Sequence, residues 1–327
     1  MRLNADEHGQ AEAVDRRATS AAGAPAAVSR AKRGKDVPPL ATPQLGFGPL
    51  LRRLRRVALD IYDDLARNLP VSAAGSLLLR VLAKGRCDSD RLRELAALDP
   101  VSFAKEIGAL RRAGLVAVHV PPVDRRRRMY ALTKEGKAAV TRLRRVMDGV
   151  EQSFLSGLSE RDRAQFMRIF TKLVLAHSAN GTIKQNPAIV DVLDGRLDPV
   201  MLMRRARQIS VELFAIECGV LDITAIESGA INLIRSFEAI AVKDLPKLLD
   251  VNRGSAFAVA AKLLAAGWLS PQEHAQRRLV LSPAGLSFQK DLARRIERVN
   301  ASMLRMLARD EQASLKRLMQ RIYETRK

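Results

Sequence analysis

The sequence is poor in cysteine and histidine. Its 327 residues include two cysteines, Cys87 and Cys218, and four histidines. The cysteines lie far apart and have no Cys or His at metal-ligand spacing, which predicts neither a disulfide framework nor a zinc site. The sequence also lacks a glycine-rich phosphate loop and a nucleophile elbow. We therefore expect no enzymatic activity, no metal site and no cofactor.

Long apolar runs are also lacking, and acidic residues are outnumbered by basic ones. No stretch reaches the length of uninterrupted apolar residues that spans a bilayer, and the N-terminus has no apolar secretion signal, so we expect a cytoplasmic protein without a membrane partner. Lysine and arginine number 56 against 35 aspartates and glutamates, a net charge of +21. That excess predicts a polyanionic partner.

The apolar fraction of 47% and the chain length are sufficient for two folded domains. Residues 1–48 contain few large apolar residues and predict a disordered basic and alanine-rich arm. Residues 180–198 are rich in turn-forming Asn, Gly, Pro and Asp and predict a linker. The predicted domains are therefore 49–179 and 199–327.

The most informative stretch runs from residue 110 to residue 136. A helical pattern ends at Gly114, and Val116, Val118 and Val120 then alternate with other residues, as in a strand. Residues 124–128 form a charged hairpin tip, after which the return strand leads to Thr133, the N-cap expected for the next helix. Helix, glycine stop and basic-tipped hairpin together predict a winged helix.

The helix before this stretch has a predicted buried face and a predicted outward face. Ser72 and Ser89 are the expected N-caps of the two preceding helices, and Asp99-Pro100 opens the recognition helix. The residues expected to face the core are Phe103, Ile107 and Leu110. The residues expected to face DNA bases are Val101, Ser102, Ala104, Lys105 and Gly108.

The stretch resembles the MarR family of winged helix-turn-helix transcriptional regulators. The matching residues are Asp124-Arg125-Arg126, then Leu132-Thr133-Lys134-Glu135-Gly136, preceded by the end of the recognition helix at residues 110–115. The resemblance implies a recognition helix in the major groove, a DNA-contacting wing, and long terminal helices that build a dimer layer. Arg125, Arg126, Arg127 and Arg128 are the wing arginines. The alternative is a solvated loop, but we expect DNA contact because four arginines at one hairpin tip repel one another unless an anion is near.

The resemblance also implies regulation by a small phenolic or lipophilic effector, or by thiol oxidation. Tyr62, Ile61 and Leu65 are candidate pocket residues, although core packing is the favoured explanation for them. Cys87 lies in a predicted polar loop and is the better, though weak, oxidation candidate, whereas Cys218 on a predicted helix fits a buried structural thiol.

The order of elements repeats in the second half of the chain. Gly267 lies 153 residues after Gly114, and Gly285 lies 149 residues after Gly136, so the second wing is four residues shorter. Glu273-His274-Ala275 replaces the Asp-Arg-Arg motif, which puts base reading by this copy in doubt. Its candidate DNA contacts are Arg253, Ser255, Lys262 and Arg277, beside an apolar run at residues 256–261.

Together these patterns predict a mainly α protein with small β-wings, in which two tandem MarR-like units pack through long terminal helices as a pseudo-dimer. The expected function is transcriptional regulation, with repression favoured, through double-stranded DNA. Two chains could also pair as a homodimer. The alternative is a winged-helix interaction or scaffold protein in which one or both units no longer read DNA.

Overall fold

The computed structural model describes residues 46–96, 98–121, 128–179, 197–249, 251–271 and 278–326. The first half of the chain, copy 1, consists of six helices and three short strands within this part. In chain order these are α1 (Phe47–Leu65), α2 (Ala73–Leu82), β1 (Cys87–Asp88), α3 (Ser89–Leu95), α4 (Pro100–Arg112), β2 (Val116–His119), β3 (Met129–Leu132), α5 (Lys134–Phe154) and α6 (Glu160–Ala179).

The second half, copy 2, has the same order of elements among its described residues. These are α7 (Pro199–Cys218), α8 (Ala225–Phe237), β4 (Ile240–Ala241), α9 (Leu245–Leu249), α10 (Arg253–Ala265), β5 (Leu269–Pro271), β6 (Arg278–Leu281), α11 (Pro283–Leu304) and α12 (Arg309–Glu324). Single 3₁₀ turns at Gly219–Leu221 and Val242–Asp244 follow α7 and β4. A mainly α fold with small antiparallel sheets is confirmed.

Each copy has a three-stranded antiparallel sheet with the same strand arrangement. The orders are β1-β3-β2 and β4-β6-β5. In copy 1 Val116 pairs with Leu132, and in copy 2 Leu269 pairs with Leu281. In both copies the last strand of the hairpin is therefore central, and it is hydrogen-bonded to a two-residue strand from before the third helix.

Short polar side chains set most of the helix starts. Each accepts a hydrogen bond from the backbone N–H three residues later, which satisfies a donor that has no partner inside the helix. The sequence correctly identifies Ser72, Asp99 and Thr133 in this role, and Thr224 and Asn252 cap the equivalent helices of copy 2. The prediction for Ser89 is wrong by one residue, because Asp88 caps α3 and Ser89 is its first helical residue.

The first helix of each copy joins the two copies. α1 packs along α7, α5 and α12, and α7 also packs along α11 and α6. The apolar side chains buried by these contacts form one continuous core, which includes residues of both copies. The described residues, from 46 onward, accordingly belong to one compact unit. The domain limits taken from the sequence stay a prediction.

Polar contacts between the copies accompany this apolar packing. Arg52 of α1 donates to the Leu249 carbonyl oxygen at 3.1 Å, and Arg205 of α7 donates to the Leu95 carbonyl oxygen at 3.1 Å. These two contacts are reciprocal, because each links the first helix of one copy to the third helix of the other. Arg80 on α2 forms a 2.5 Å ion pair with Asp198 just before α7.

The ends of the predicted arm and of the predicted linker include a few described residues. Most of the predicted arm and linker lies outside the described residues. However, Phe47 and Gly48 already belong to α1, where Phe47 is buried. At the linker's end Leu197 and Asp198 are buried, and Asp198 caps α7 by accepting from the Met201 N–H. These residues belong to the folded part of the chain because Phe47 and Leu197 are buried and Asp198 caps a helix.

Candidate nucleic-acid interface

Helix α4 separates its two faces as the sequence predicts. Phe103, Ile107 and Leu110 are buried. The predicted outward residues lie on the other side, where Val101 is 79% exposed, Ala104 and Lys105 are exposed, and Ser102 and Gly108 are half-buried. Ser102 also donates hydrogen bonds to Asp99 from its side chain and its backbone, which hold the pKa of that carboxyl below its usual value. Ser102 thus already has a local partner.

The turn between α4 and the wing is held by three residues of the recognised motif. Gly114 has φ +69°, a left-handed conformation that glycine adopts without strain. The Thr133 hydroxyl donates to the Gly114 carbonyl oxygen at 2.7 Å and accepts from the Gly136 N–H at 2.9 Å. A Cβ at Gly136 would lie 2.0 Å from the Leu115 carbonyl oxygen, so this position needs glycine. The motif therefore fixes how the wing and α4 are oriented.

The wing packs directly on the recognition helix. Tyr130 of β3 is buried and meets Phe103 of α4 edge-on, with ring centroids 6.0 Å apart. The predicted wing contacts Arg125, Arg126 and Arg127 lie outside the described residues, as does Asp124. Arg128 is described and directly precedes β3. Their assignment to DNA contact stays a prediction.

A groove between α4 and the wing contains two arginines that the sequence reasoning missed. It has a volume of about 480 Å³ and is lined by Gly108, Arg111, Arg112, Val116 and Val118. Arg111 and Arg112 are exposed and make no ion pair with any acidic residue in the described part of the chain. The sequence could have indicated them, because both arginines end the predicted recognition helix, directly before the wing.

Copy 2 repeats this junction closely. Gly267 has φ +71°, the Ser282 hydroxyl donates to its carbonyl oxygen at 2.6 Å, and a Cβ at Gly285 would lie 2.0 Å from the Trp268 carbonyl oxygen. Trp268 stacks on Phe288 of α11 with ring centroids 3.9 Å apart. Helix α10 therefore has the same connection to its wing as α4.

The predicted copy 2 contacts have different surroundings. Arg253 is exposed at the start of α10 and Ser255 is half-buried there. Lys262 lies near the other end, where it forms a 3.3 Å ion pair with Glu227 of α8 and donates to the Asp222 carbonyl oxygen. This intramolecular pairing weakens its assignment to DNA. Arg277 lies outside the described residues.

The two cysteines do not show the features of an activated thiol. Cys87 lies in strand β1 opposite Tyr130, so its predicted position in a polar loop is wrong. Burial raises the pKa of Cys87, and a raised pKa lowers the thiolate fraction that oxidants attack. Cys218 is buried as expected, and burial raises its pKa too. The oxidation role of Cys87 stays a prediction without support from its surroundings.

Other candidate chemistry can be placed within the described residues. Tyr62 is buried, and its hydroxyl donates to the Val71 carbonyl oxygen at 2.9 Å, which favours core packing over a ligand pocket. His177 is buried, with Nε2 2.8 Å from the Met303 carbonyl oxygen.

No group of three or more His, Cys, Asp or Glu suited to a metal occurs in the described part. None of its helices is long and apolar enough to cross a bilayer.

Comparison with known proteins gives a consistent set of relatives. Over 85 residues the chain is 31% identical to the transcriptional regulator HosA of Escherichia coli O111:H-, which covers 26% of this chain and 63% of that protein. The chain resembles MarR-family transcriptional regulators. The match spans somewhat less than two thirds of the curated relative. No family model matches the chain.

Solved structures of MarR-family regulators also match part of the chain. One is BpsR of Bordetella bronchiseptica, whose DNA binding is regulated by 6-hydroxynicotinic acid, at 28% identity and a TM-score of 0.34. It aligns with 36% of this chain and 85% of its own. Another is the reduced form of MarR from E. coli, at 22% identity and a TM-score of 0.35, aligning with 37% of this chain and 93% of its own.

Proposed function

We propose that this chain is a DNA-binding transcriptional regulator without enzymatic activity, and that copy 1 is its principal DNA-reading unit. The observation that carries the proposal is the joint surface of α4 and the adjacent groove. Lys105, Arg111 and Arg112 are exposed on it, and none of them has an ion-pair partner among the described acidic residues. A cationic surface along a helix that fits the major groove suits the phosphate-lined walls of duplex DNA.

The residues of this surface divide into two roles. Lys105 and the apolar Val101 and Ala104 lie on the part of α4 that would face base edges, where a lysine can donate to guanine and an alanine can contact a thymine methyl group. Arg111 and Arg112 lie where α4 meets the wing and would contact phosphates, which position the protein. The wing arginines would extend these contacts to the adjacent minor groove.

The reciprocal contacts of Arg52 and Arg205 support a pseudo-dimer within one chain. If an approximate two-fold axis relates the copies, α10 is placed for a second half-site as α4 is for the first. A homodimer of chains would add further half-sites. Repression, regulation by a small phenolic or lipophilic effector, and a cytoplasmic location complete the proposal and rest on the family resemblance.

The test of this function is selection from a pool of random duplex DNA with the full-length protein. We expect enrichment of a defined sequence. The variant Lys105→Ala should still bind DNA. It should lose its preference for particular bases at one or two adjacent base pairs, a loss of about 1–3 kcal/mol in discrimination against the wrong base. Lys290→Ala, an exposed lysine on α11, is the matched control. If no sequence is enriched above input by the wild-type protein, the proposal is wrong.

A protein-interaction role is the second candidate, and one observation favours it. Phe257 and Leu264 are 47% and 37% exposed on α10. An exposed apolar helix face is a common docking surface for other proteins. If copy 2 serves this role, variants of these two residues should leave all DNA-binding measurements unchanged.

A further inference from the structure

We propose that the chain recognises a non-palindromic DNA site, in which α4 reads one half through Lys105 and α10 reads a thymine-rich half through Phe257. This proposal rests on the proposed function and specifies its DNA substrate. It makes the exposed apolar face of α10 a base-reading surface. The argument depends on which positions of the two helices are equivalent, and on how their side chains differ there.

The two recognition helices can be compared position by position. Both are 13 residues long and start after a capping side chain, Asp99 in α4 and Asn252 in α10. Both end at a glycine with nearly the same positive φ, and the cap of the following helix hydrogen-bonds to each glycine. Because the start, the length and the wing junction all agree, each α10 position corresponds to the α4 position 153 residues earlier.

The outward positions differ consistently in chemistry. Phe257 takes the place of Ala104, and both are exposed. The cations of α4 are replaced by small or apolar residues, so that Lys105, Arg111 and Arg112 correspond to Ala258, Leu264 and Ala265. The buried positions keep their character, since Ala256, Ala260 and Leu263 correspond to Phe103, Ile107 and Leu110. The exposed cations of α4 are thus lost at these positions, while α10 has its own cations at Arg253 and at Lys262, which pairs with Glu227.

A phenyl ring at this position suits thymine. The thymine C5-methyl group is the main apolar feature of the major groove, and Phe is among the side chains that contact it. Gly254, Ala258 and Ala261 surround Phe257 along the exposed face and are small enough for the helix to approach the groove floor. Helix α10 contains no acidic residue that would repel phosphates, and Arg253 at its start supplies a cation.

The difference between the helices has a consequence for binding. A symmetric dimer presents the same reading surface twice and therefore selects a palindrome. Here two recognition helices with different side chains at equivalent exposed positions are part of one chain, so each half of the site has its own sequence requirement. The chain should consequently bind DNA in one orientation, with most of its phosphate contacts on the copy 1 half.

The experiment is a double-mutant cycle on the site selected from random duplex DNA. Thymines of the weaker half are replaced by uracil, which removes only the methyl group, and binding is measured with the full-length wild type and with Phe257→Ala. Removal of each methyl group that Phe257 contacts should lower the affinity of the wild type roughly fourfold. The same replacement should leave the affinity of Phe257→Ala unchanged. Leu286→Ala, a comparably exposed leucine outside the reading face, is the matched control and should respond to uracil like the wild type.

The other outcomes separate this proposal from the proposed function. A palindromic selected sequence, or equal uracil effects in the wild type and Phe257→Ala, would overturn the proposal and leave the DNA-binding function intact. Failure to select any sequence would remove both. As an independent measurement, Ala258→Lys returns a cation to the position equivalent to Lys105. It should raise affinity and steepen the salt dependence if α10 contacts DNA, and an unchanged salt dependence would indicate a protein partner instead.

Discussion

The guanidinium of Arg205 donates a 3.1 Å hydrogen bond to the carbonyl oxygen of Leu95, which lies 110 residues earlier at the end of α3. Arg205 is only 2% exposed, and its Nε and one Nη have no hydrogen-bond partner among the described residues. Burial, and secondarily the neighbouring Arg204, lower the pKa of Arg205 to about 10. The reciprocal contact, from Arg52 to Leu249, is only partly buried.

Replacement of Arg205 separates its packing from its charge. We expect Arg205→Ala to lose about 2–4 kcal/mol of unfolding free energy, because it leaves a cavity in the joint core. Arg205→Met fills most of that volume without a buried charge, and it should stay within about 1 kcal/mol of the wild type. Denaturant titration measures both. Equal losses in the two variants would show that the hydrogen bond to Leu95, rather than packing, dominates.

The Arg80–Asp198 pair is a further polar link between the copies, and its side chains are mostly buried. Asp198→Asn keeps the capping acceptor for Met201 but removes the charge. We expect it to lower the free energy of unfolding by about 2–4 kcal/mol. Asp198→Ala also loses the cap and should cost about 1 kcal/mol more. Adding Arg80→Met to Asp198→Asn should cost less than the two single losses together. Additive losses would contradict a coupled pair.

The contact between α6 and α12 should weaken in acid. Hydrogen bonds from Lys172, the Ala308 N–H and Arg168 lower the pKa of Glu311 to about 2, from an ordinary value near 4.5. A lowered folded-state pKa means that the stabilisation is complete above about pH 4.5 and is lost as the pH falls toward 2. Glu311→Gln should therefore flatten the stability curve across that window. A curve parallel to the wild type would show that Glu311 does not contribute.

Gly136 and Gly285 should be irreplaceable for a steric reason. An added Cβ would lie 2.0 Å from a backbone carbonyl oxygen at each position, so Gly136→Ala and Gly285→Ala should each cost at least about 3 kcal/mol. Gly108→Ala is the control within α4. Its Cβ would meet only the flexible end of Arg112 at 3.4 Å, and it should be neutral or stabilising by up to about 1 kcal/mol. Thermal unfolding compares the three.

Local chemistry explains which parts of this fold the sequence predicts. The caps at Asp99, Thr133 and Asn252 and the stops at Gly114 and Gly267 follow from short-range rules, and the structure confirms them. Ser89 and its neighbour Asp88 are both good capping residues. Short-range rules do not distinguish between adjacent candidates, so the predicted cap was wrong by one residue.

The individual contacts between the copies could not be predicted by the same short-range rules. An amphipathic pattern shows that α1 and α7 have apolar faces, but not that they face each other. It gives no sign that Arg205 is buried against Leu95, because an arginine in a helix ordinarily lies in solvent. Arg111 and Arg112 were missed because the predicted DNA contacts of α4 ended at Gly108. The groove beside these arginines is also lined by β2, whose position relative to α4 the sequence pattern does not give.

The central claim, that copy 1 binds DNA through the end of α4 and the wing, is tested most directly by the salt dependence of binding to duplex DNA. Each lost phosphate contact reduces the slope of log K against log salt by about 0.9. Arg111→Ala with Arg112→Ala should therefore lower the slope by about 2, and replacement of the wing arginines by alanine should lower it further. Arg294→Ala, an exposed arginine on α11, should leave it unchanged. If the Arg111 and Arg112 variant binds with the wild-type slope, the groove does not contact DNA and the account is contradicted.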